Sequence, residues 1–195
     1  MPTLVFSLPG NAFAAAKAGG VTVGAAKILG ETGNQSIQLS TPDLSSPAAF
    51  DGLVRQIHDL SHGQPIGIIG FSAGGAWALR LAGVSSLNVK AVLDFYGPPD
   101  LKDYFAYHGH DRFATYVESH SHMDKAAINL MSGPIITTAY VDAAFGSNDH
   151  NVVASVSTDS LQKDLPQARV FNYDGGHGVS LAACPPAMND FIAHL

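Results

Sequence analysis

One serine in this chain stands where a hydroxyl could act as a nucleophile. Ser72 lies between Gly70 and Gly74 in a sequence that fits the G-x-S-x-G pattern. This pattern marks a sharp turn from a strand into a helix, which lifts the serine hydroxyl out of the carboxyl edge of a sheet. Glycine is needed on both sides because a side chain there would collide with neighbouring backbone as the chain reverses. The sequence therefore predicts Ser72 as a nucleophile.

A serine nucleophile needs two partners, and both are found later in the chain. The hydroxyl is weak at neutral pH, so it requires a base within hydrogen-bond reach, and that base requires an acid to orient it. We expect each partner just after a later strand, in the order Ser, Asp, His. Asp149 follows the apolar run that ends at Phe145, and His177 stands between two glycines after the run at 170–173. The predicted triad is Ser72, His177 and Asp149.

Two other aspartates compete for the role of the acid. Asp142 would orient the histidine if its strand ended at Tyr140, although it stands among apolar residues. We favour Asp149 because the Gly-Ser-Asn sequence before it is typical of a turn that leaves a strand. Asp94 lies within an apolar run rather than beyond its end.

Acyl transfer also requires two N–H donors for the oxyanion of the tetrahedral intermediate. The backbone N–H of Ala73 is one candidate, because it follows the nucleophile at the start of a helix whose dipole favours negative charge. The loop after the first strand, with Pro9 and Gly10, should supply the second donor. We expect this donor to be Asn11, although an ordinary strand-to-helix turn would contain the same Pro-Gly pair.

These residues must be positioned by alternating strands and helices. Short apolar runs predict strands at 3–8, 36–40, 66–70, 90–96, 134–145 and 169–173. Helical spacing or composition predicts helices at 12–29, 47–63, 73–82, 151–165 and 186–195. Such alternation favours a parallel sheet covered by helices on both faces.

The segment 99–133 interrupts the alternation with many aromatic residues and histidines. It is either a cap over the substrate or a surface excursion with one or two helices, and the sequence favours neither. Aromatic residues of this segment and of the strand ends are candidates for the wall of a substrate pocket, although such residues are as often part of a core: Phe13, Phe71, Tyr104, Phe105 and Tyr107.

At these motifs the chain resembles an α/β-hydrolase, and in particular the small dienelactone hydrolase branch. The matching stretches are 68–75, 91–97, 145–149 and 173–178. The resemblance implies a three-layer α/β-hydrolase fold with a mostly parallel sheet, in a minimal version that lacks the leading strands of larger members. It also implies hydrolysis without a metal or organic cofactor.

Two departures from that branch bear on the chemistry. Dienelactone hydrolases proper use a cysteine nucleophile, so Ser72 favours ordinary ester hydrolysis over action on a dienelactone. The usual His-Gly after the first strand is replaced here by Pro9 and Gly10. The expected function is a serine hydrolase that cleaves carboxylic esters, or thioesters, through an acyl-enzyme.

Three other interpretations compete with a serine hydrolase. Gly70-x-Ser72-x-x-Gly75 followed by Asp94 resembles a dinucleotide fingerprint, although serine replaces its middle glycine. The pairs His108 and His110, and His120 and His122, could bind a metal, although a solvated cluster is the commoner outcome. The scaffold could also serve as a non-catalytic binding protein, because fold alone does not give function.

Composition sets broad limits on the function. The 195 residues, 46% of them hydrophobic and 13% charged, suit one domain over 1–195. A net charge of −6 argues against nucleic acid or an anionic membrane as the partner. The partner expected from the predicted triad is a small ester. Cys184 is the one cysteine, and no glycine-bounded turn presents it as a nucleophile. The first ten residues lack a basic segment followed by a long apolar run, so we expect a cytoplasmic protein.

Overall fold

A computed structural model describes residues 2–109 and 112–195, with the side chains at 112–114, 116 and 120 outside the description. Within these ranges six strands form one sheet, in which every neighbouring pair is parallel. In chain order the strands are β1 (Leu4–Leu8), β2 (Gln35–Gln38), β3 (Ile66–Phe71), β4 (Val89–Phe95), β5 (Tyr140–Gly146) and β6 (Arg169–Tyr173).

In the part of the chain that the structure describes, eight α-helices accompany the sheet. They are α1 (Val21–Glu31), α2 (Pro47–Ser61), α3 (Ala73–Ala82), α4 (Leu101–His108), α5 (Arg112–Ser121), α6 (Lys125–Leu130), α7 (Ala154–Asp164) and α8 (Pro185–Ala193). Among the described residues, no helix combines the length and the apolar character needed to cross a bilayer.

Alternation along each strand creates two cores, one on each face of the sheet. On β1, Phe6 and Leu8 join the core that α2, α3 and α7 cover, whereas Val5 joins the core beneath α1 and α8. On β3, Ile68 belongs to the first core and Ile69 to the second. Burial on both faces explains why the central strands β3 and β4 are mostly apolar, and the predicted three-layer α/β fold is confirmed.

The strand order β2-β1-β3-β4-β5-β6 makes β1 and β3 neighbours, so the loops that follow these two strands lie side by side. The chain runs from β1 outward to β2 and then returns across β1 to β3, so the winding direction reverses between β1 and β3. Ligands of open α/β sheets bind in the crevice outside the carboxyl ends of the strands at such a reversal. The loop that contains Gly10 follows β1, and Ser72 follows β3 directly, so the two meet there.

The predicted helix at 12–29 is wrong in its first half. The chain from 11 to 20 forms turns and a single bridge between Ala16 and Thr41, and α1 begins only at Val21. Ala12 and Phe13 have positive φ angles of 47° and 66°, which a right-handed helix excludes. The small side chains of this segment are typical of a helix. The close approach of Gly10 to the Ser72 turn holds the chain in a loop instead.

The predicted strand at 134–145 begins later than expected, at Tyr140. The preceding residues form no regular element, and the N–H of Ile135 donates to the Asp164 carboxylate at 2.9 Å. The Ile135 side chain packs in the core, whereas Ile136 is 77% exposed, so this apolar pair is not part of a strand buried on both faces.

In its described residues, the insertion at 99–133 forms three helices, α4 to α6, rather than one or two. Its two ends are joined through Arg80 of α3, a buried residue. The guanidinium donates to the carbonyl oxygens of Pro99 at 2.7 Å and Met131 at 3.0 Å, and also to that of Gly133. The helix that carries Ser72 at its start therefore holds both ends of the insertion.

Candidate active site

The turn at Ser72 has the geometry that its glycines predict. Ser72 has φ 54° and ψ −129°, and its N–H donates to the Phe95 carbonyl at 3.0 Å. A Cβ at Gly70 would lie 2.0 Å from the Gly74 oxygen, and a Cβ at Gly74 would lie 2.3 Å from the Leu8 oxygen. Only hydrogen atoms fit at these two positions, so the glycines allow the strained turn that presents the serine.

The structure brings Ser72, His177 and Asp149 into one line of hydrogen bonds. Ser72 Oγ lies 2.8 Å from His177 Nε2, and His177 Nδ1 lies 2.8 Å from Asp149 Oδ2. Because an ionised carboxylate only accepts hydrogen bonds, Nδ1 carries the proton and Nε2 is left to accept the serine hydroxyl. The predicted nucleophile, base and orienting acid thus stand in the order that acyl transfer requires.

Asp149 is fixed by more than its bond to the imidazole. Its side chain is completely buried beside His177. The other carboxylate oxygen, Oδ1, accepts the backbone N–H groups of Asn151 at 2.8 Å and Val152 at 2.9 Å. Both oxygens are therefore engaged, and two backbone donors hold the carboxylate in the orientation that directs Oδ2 at Nδ1.

The loops that carry the acid and the histidine are joined to one another. The Asn148 N–H donates to the Gly175 carbonyl at 3.0 Å, and the Asn148 side-chain amide donates to Asp174 at 3.1 Å. A Cβ at Gly146 would lie 2.4 Å from the Gly175 oxygen. Close approach at this glycine lets the loop after β6 fold back over the sheet edge, which brings His177 toward Ser72.

Tyr96 is a member of the site that the sequence interpretation did not identify. Its ring centroid lies 4.8 Å from that of His177, and its hydroxyl donates to the Val179 carbonyl at 3.3 Å. The residue follows β4 with a φ of 49°, an unusual conformation for tyrosine. Burial raises the pKa of this phenol well above its usual range. The signal in the sequence is its position between the end of a strand and Gly97.

The rival acid Asp142 lies in the interior of β5, paired with Leu93 and Arg169, and not at the strand end. It is fully buried. Burial, together with the nearby Asp190 carboxylate, raises the pKa of Asp142 to about 8. The hydrogen bond to His177 Nδ1 comes from Asp149 instead, so the position of Asp142 does not suit the orienting role.

Asp94 lies beneath the nucleophile turn. It is fully buried, and its Oδ1 accepts the Gly97 N–H at 2.8 Å. A Cβ at Gly75 would lie 1.9 Å from the same oxygen, so the carboxyl packs directly against the first turn of α3. Burial raises the pKa of this carboxyl well above its ordinary value. A dinucleotide ribose could not reach this buried carboxyl group, so the alternative interpretation as a dinucleotide fingerprint loses its ribose-binding acid.

The two expected oxyanion donors lie on opposite sides of one contact. Gly10 approaches the nucleophile turn so closely that a Cβ there would lie 2.7 Å from both the Ala73 nitrogen and Ser72 Cβ. Asn11 follows Gly10 and borders the cavity that contains Ser72. Its side-chain amide donates to the Ala15 carbonyl at 3.2 Å and stabilises the turn. The expected donor is its backbone N–H, and this assignment stays a prediction.

Two of the cavities in the described part of the chain border Ser72. The larger, of about 310 Å³, is lined by residues including Asn11, Val21, Phe71, Tyr96 and His177. The smaller, of about 10 Å³, is lined by residues including Phe13, Ala73, Tyr104, Val117 and Val152.

Three of the five predicted pocket aromatics border these cavities. Phe71 borders the larger cavity, and Phe13 and Tyr104 border the smaller one. Phe105 instead packs against the core, and Tyr107 is 58% exposed and borders a separate small cavity next to His108. The helical spacing of α4 turns these two side chains away from Ser72.

Metal binding is the alternative role that the sequence offers for the histidine pairs. Within the described residues, no three histidine, cysteine or acidic side chains come together as a metal site. The His108 ring packs on Tyr104 with a centroid distance of 4.4 Å. His110 and the side chain of His120 lie outside the described residues.

Burial raises the pKa of the Cys184 thiol, which does not favour the reactive thiolate.

No protein-family model and no curated protein matches the sequence. Solved structures do match the fold. The mouse alpha/beta hydrolase domain-containing protein 10 has a TM-score of 0.72 at 17% identity, over 97% of this chain and 89% of that one. A carboxylesterase from Lactobacillus plantarum WCFS1 has a TM-score of 0.69 at 18% identity, over 93% of this chain and 74% of that one.

A hyperthermophilic esterase from the archaeon Pyrobaculum calidifontis has a TM-score of 0.68 at 15% identity, over 98% of this chain and 73% of that one. These similarities establish the α/β-hydrolase fold for this chain. They extend over nearly its whole described length, and they do not single out the dienelactone hydrolase branch.

Proposed function

We propose that this protein is a serine hydrolase that cleaves carboxylic esters, or thioesters, through an acyl-enzyme. The observation that carries the proposal is the pair of 2.8 Å hydrogen bonds that link Ser72 Oγ to His177 and His177 to Asp149. This line lies at the carboxyl edge of the sheet and borders a cavity of about 310 Å³, so a substrate can reach the hydroxyl.

The first half of the reaction forms a bond to Ser72. As Oγ attacks the carbonyl carbon, Nε2 of His177 takes the hydroxyl proton and Asp149 stabilises the imidazolium. The carbonyl electron pair moves onto oxygen, where the N–H groups of Ala73 and Asn11 stabilise the negative charge. When the intermediate collapses, the bond to the leaving oxygen or sulfur breaks and Nε2 returns the proton to that atom.

The second half repeats these steps with water. His177 takes a proton from a water molecule as its oxygen attacks the acyl carbon, and the ester bond to Ser72 then breaks. The proton passes to Oγ, and a carboxylic acid is released. No metal or organic cofactor takes part in either half, and small esters are the partners that we assign to the protein.

The dienelactone hydrolase-like branch is the relationship that we favour within the superfamily. It is supported by the Phe95-Tyr96-Gly97 strand end together with the glycine-rich turn around His177. The two motifs are in contact in the structure, because the Tyr96 ring packs on the His177 imidazole. With serine in place of cysteine, we assign ordinary esters rather than dienelactones.

Labelling with a fluorophosphonate probe tests the proposal, because this reagent attacks an activated serine whatever ester the enzyme prefers. Wild-type protein should gain one adduct on Ser72 and lose its ester hydrolysis at the same time. Ser72→Ala should not react, whereas Ser155→Ala, which changes an exposed serine of α7, should react like the wild type. Equal labelling of the wild type and Ser72→Ala would refute the proposal.

A further inference from the structure

Ser72 stands at the junction of two cavities that differ greatly in size. Ser72 and Ala12 border both, whereas their other lining residues differ. A substrate ester has two arms, the acyl group and the alcohol, and both must extend from the carbon that Ser72 attacks. The two cavities can therefore divide the two arms of the substrate between them.

His177 determines which cavity takes the alcohol. Nε2 must return a proton to the leaving oxygen, so this oxygen and the group attached to it lie beside the imidazole. His177 and Gly178 border the larger cavity and do not border the smaller one. The alcohol arm therefore extends into the cavity of about 310 Å³.

The acyl group lies in the cavity that remains. With the leaving group beside His177 in the larger cavity and the oxyanion near the Ala73 N–H, the acyl arm of the tetrahedral carbon extends into the other cavity that Ser72 borders. This is the smaller cavity. Its walls include Phe13, Tyr104, Val117 and Val152, each at most 4% exposed, so they are packed into the protein interior.

The volume of the smaller cavity limits the length of the acyl chain. About 10 Å³ corresponds to the space of one water-sized group, which suits a methyl group. A longer chain would have to push apart side chains that are already close-packed, and such overpacking is unfavourable. Apolar walls would also exclude an acyl group that carries a charge.

We propose that the enzyme is specific for esters that join a short, apolar acyl group, acetyl or propanoyl, to a bulkier alcohol, with Val117 and Val152 among the residues that limit acyl length. This inference rests on the proposed function, because it presumes attack by Ser72. It assigns the substrate class by the two arms: a short acyl arm in the smaller, apolar cavity and a variable alcohol arm in the larger one.

Two series of esters test the assignment. With p-nitrophenol as the constant leaving group, kcat/KM should be highest for the acetyl or propanoyl ester and fall at least about tenfold by the hexanoyl ester. With a constant acetyl group, 1-naphthyl acetate should be cleaved as readily as phenyl acetate. A preference for hexanoyl over acetyl would overturn the inference and leave the serine mechanism intact, whereas absence of cleavage and of fluorophosphonate labelling would refute the proposed function itself.

Variants of the small cavity identify the residues that set the limit. Val117→Ala and Val152→Ala should each shift the preference toward butanoyl or hexanoyl esters by about tenfold relative to the acetyl ester. The ratio of two substrates measured on one preparation does not depend on the fraction of folded enzyme. Val23→Ala, at an exposed position of α1, is the matched control and should keep the wild-type ratio. Unchanged ratios in both cavity variants would overturn the assignment of the acyl group to this cavity.

Discussion

Replacement of Asp149 by asparagine should reverse the tautomer of His177. Oδ1 of Asp149 accepts two backbone N–H groups, from Asn151 and Val152. An asparagine must place its carbonyl oxygen at that position, because an amide NH₂ group there would face two donors. Its NH₂ group then faces Nδ1 of His177, which must become an acceptor. The proton moves to Nε2, where the imidazole can no longer receive the proton of the Ser72 hydroxyl.

The size of the loss follows from the role that is removed. The same change in a serine protease triad, with its geometry intact, lowers kcat by about 10⁴, which corresponds to about 5 kcal/mol in the activation barrier. We expect a loss of about 10³ to 10⁴ in kcat/KM for p-nitrophenyl acetate at about pH 7 to 8, and a similarly slower reaction with the fluorophosphonate probe. Thermal unfolding should change little, because the variant is isosteric and retains both backbone hydrogen bonds.

Asp142→Asn is the matched control, because it makes the same chemical change in a buried aspartate of the strand that leads to Asp149. With a pKa of about 8, Asp142 is largely protonated at pH 7, so an amide resembles the form already present. Activity should remain within about threefold of the wild type. If Asp142→Asn lowered the rate more than Asp149→Asn, or if Asp149→Asn stayed within about tenfold of the wild type, the assignment of the orienting acid would be wrong.

Three further predictions concern the parts that support the site. Gly10→Ala should lower kcat/KM at least about tenfold, because the added Cβ would lie 2.3 Å from the Phe71 oxygen. Gly24→Ala is the control and should remain fully active, because its methyl group meets nothing within 4 Å. Equal activity of the two variants would contradict the close contact at Gly10. The raised pKa of Asp142 means that the folded protein binds an extra proton between about pH 4 and pH 8, so the free energy of unfolding falls as the pH rises through this window. Between about pH 5 and pH 8 the melting temperature should therefore fall less in Asp142→Asn than in the wild type, and identical pH dependence would contradict the assigned burial. Arg80→Met should lower the free energy of unfolding, measured in urea, by about 3 kcal/mol, because it removes the donor that three carbonyl groups share. A loss below about 1 kcal/mol would show that the insertion does not depend on Arg80 for its stability.

The sequence predicted the elements whose pattern is local. The strand at Ile66–Phe71 is an uninterrupted apolar run, and α3 follows directly after the glycine-bounded serine. Asp149 and His177 were found because the reaction imposes a chain order and a position after each strand, which does not depend on tertiary contacts. The structure then brings both within hydrogen-bond distance of their predicted partners.

What the sequence did not predict depends on contacts between distant segments. The residues before Val21 have the composition of a helix, yet the approach of Gly10 to the nucleophile turn determines their path. Tyr96 lies on His177 although 81 positions separate them in the chain (177 − 96), and no periodicity marks such a contact. The smaller cavity arises where the loop after β1, α4, α5 and the loop before α7 converge, so no single segment encodes it.

Backbone conformation gives an argument for function that does not depend on the triad. Among the described residues, six other than glycine have positive φ angles, and four of them line the cavities at Ser72: Ala12, Phe13, Ser72 and Tyr96. Each such conformation costs on the order of 1 kcal/mol or more and persists only where the surrounding structure imposes it. A surface that served packing alone would accept glycine at these positions or relax the turns. Strained residues from three separate loops around one hydroxyl are therefore best explained by selection for the geometry of that site.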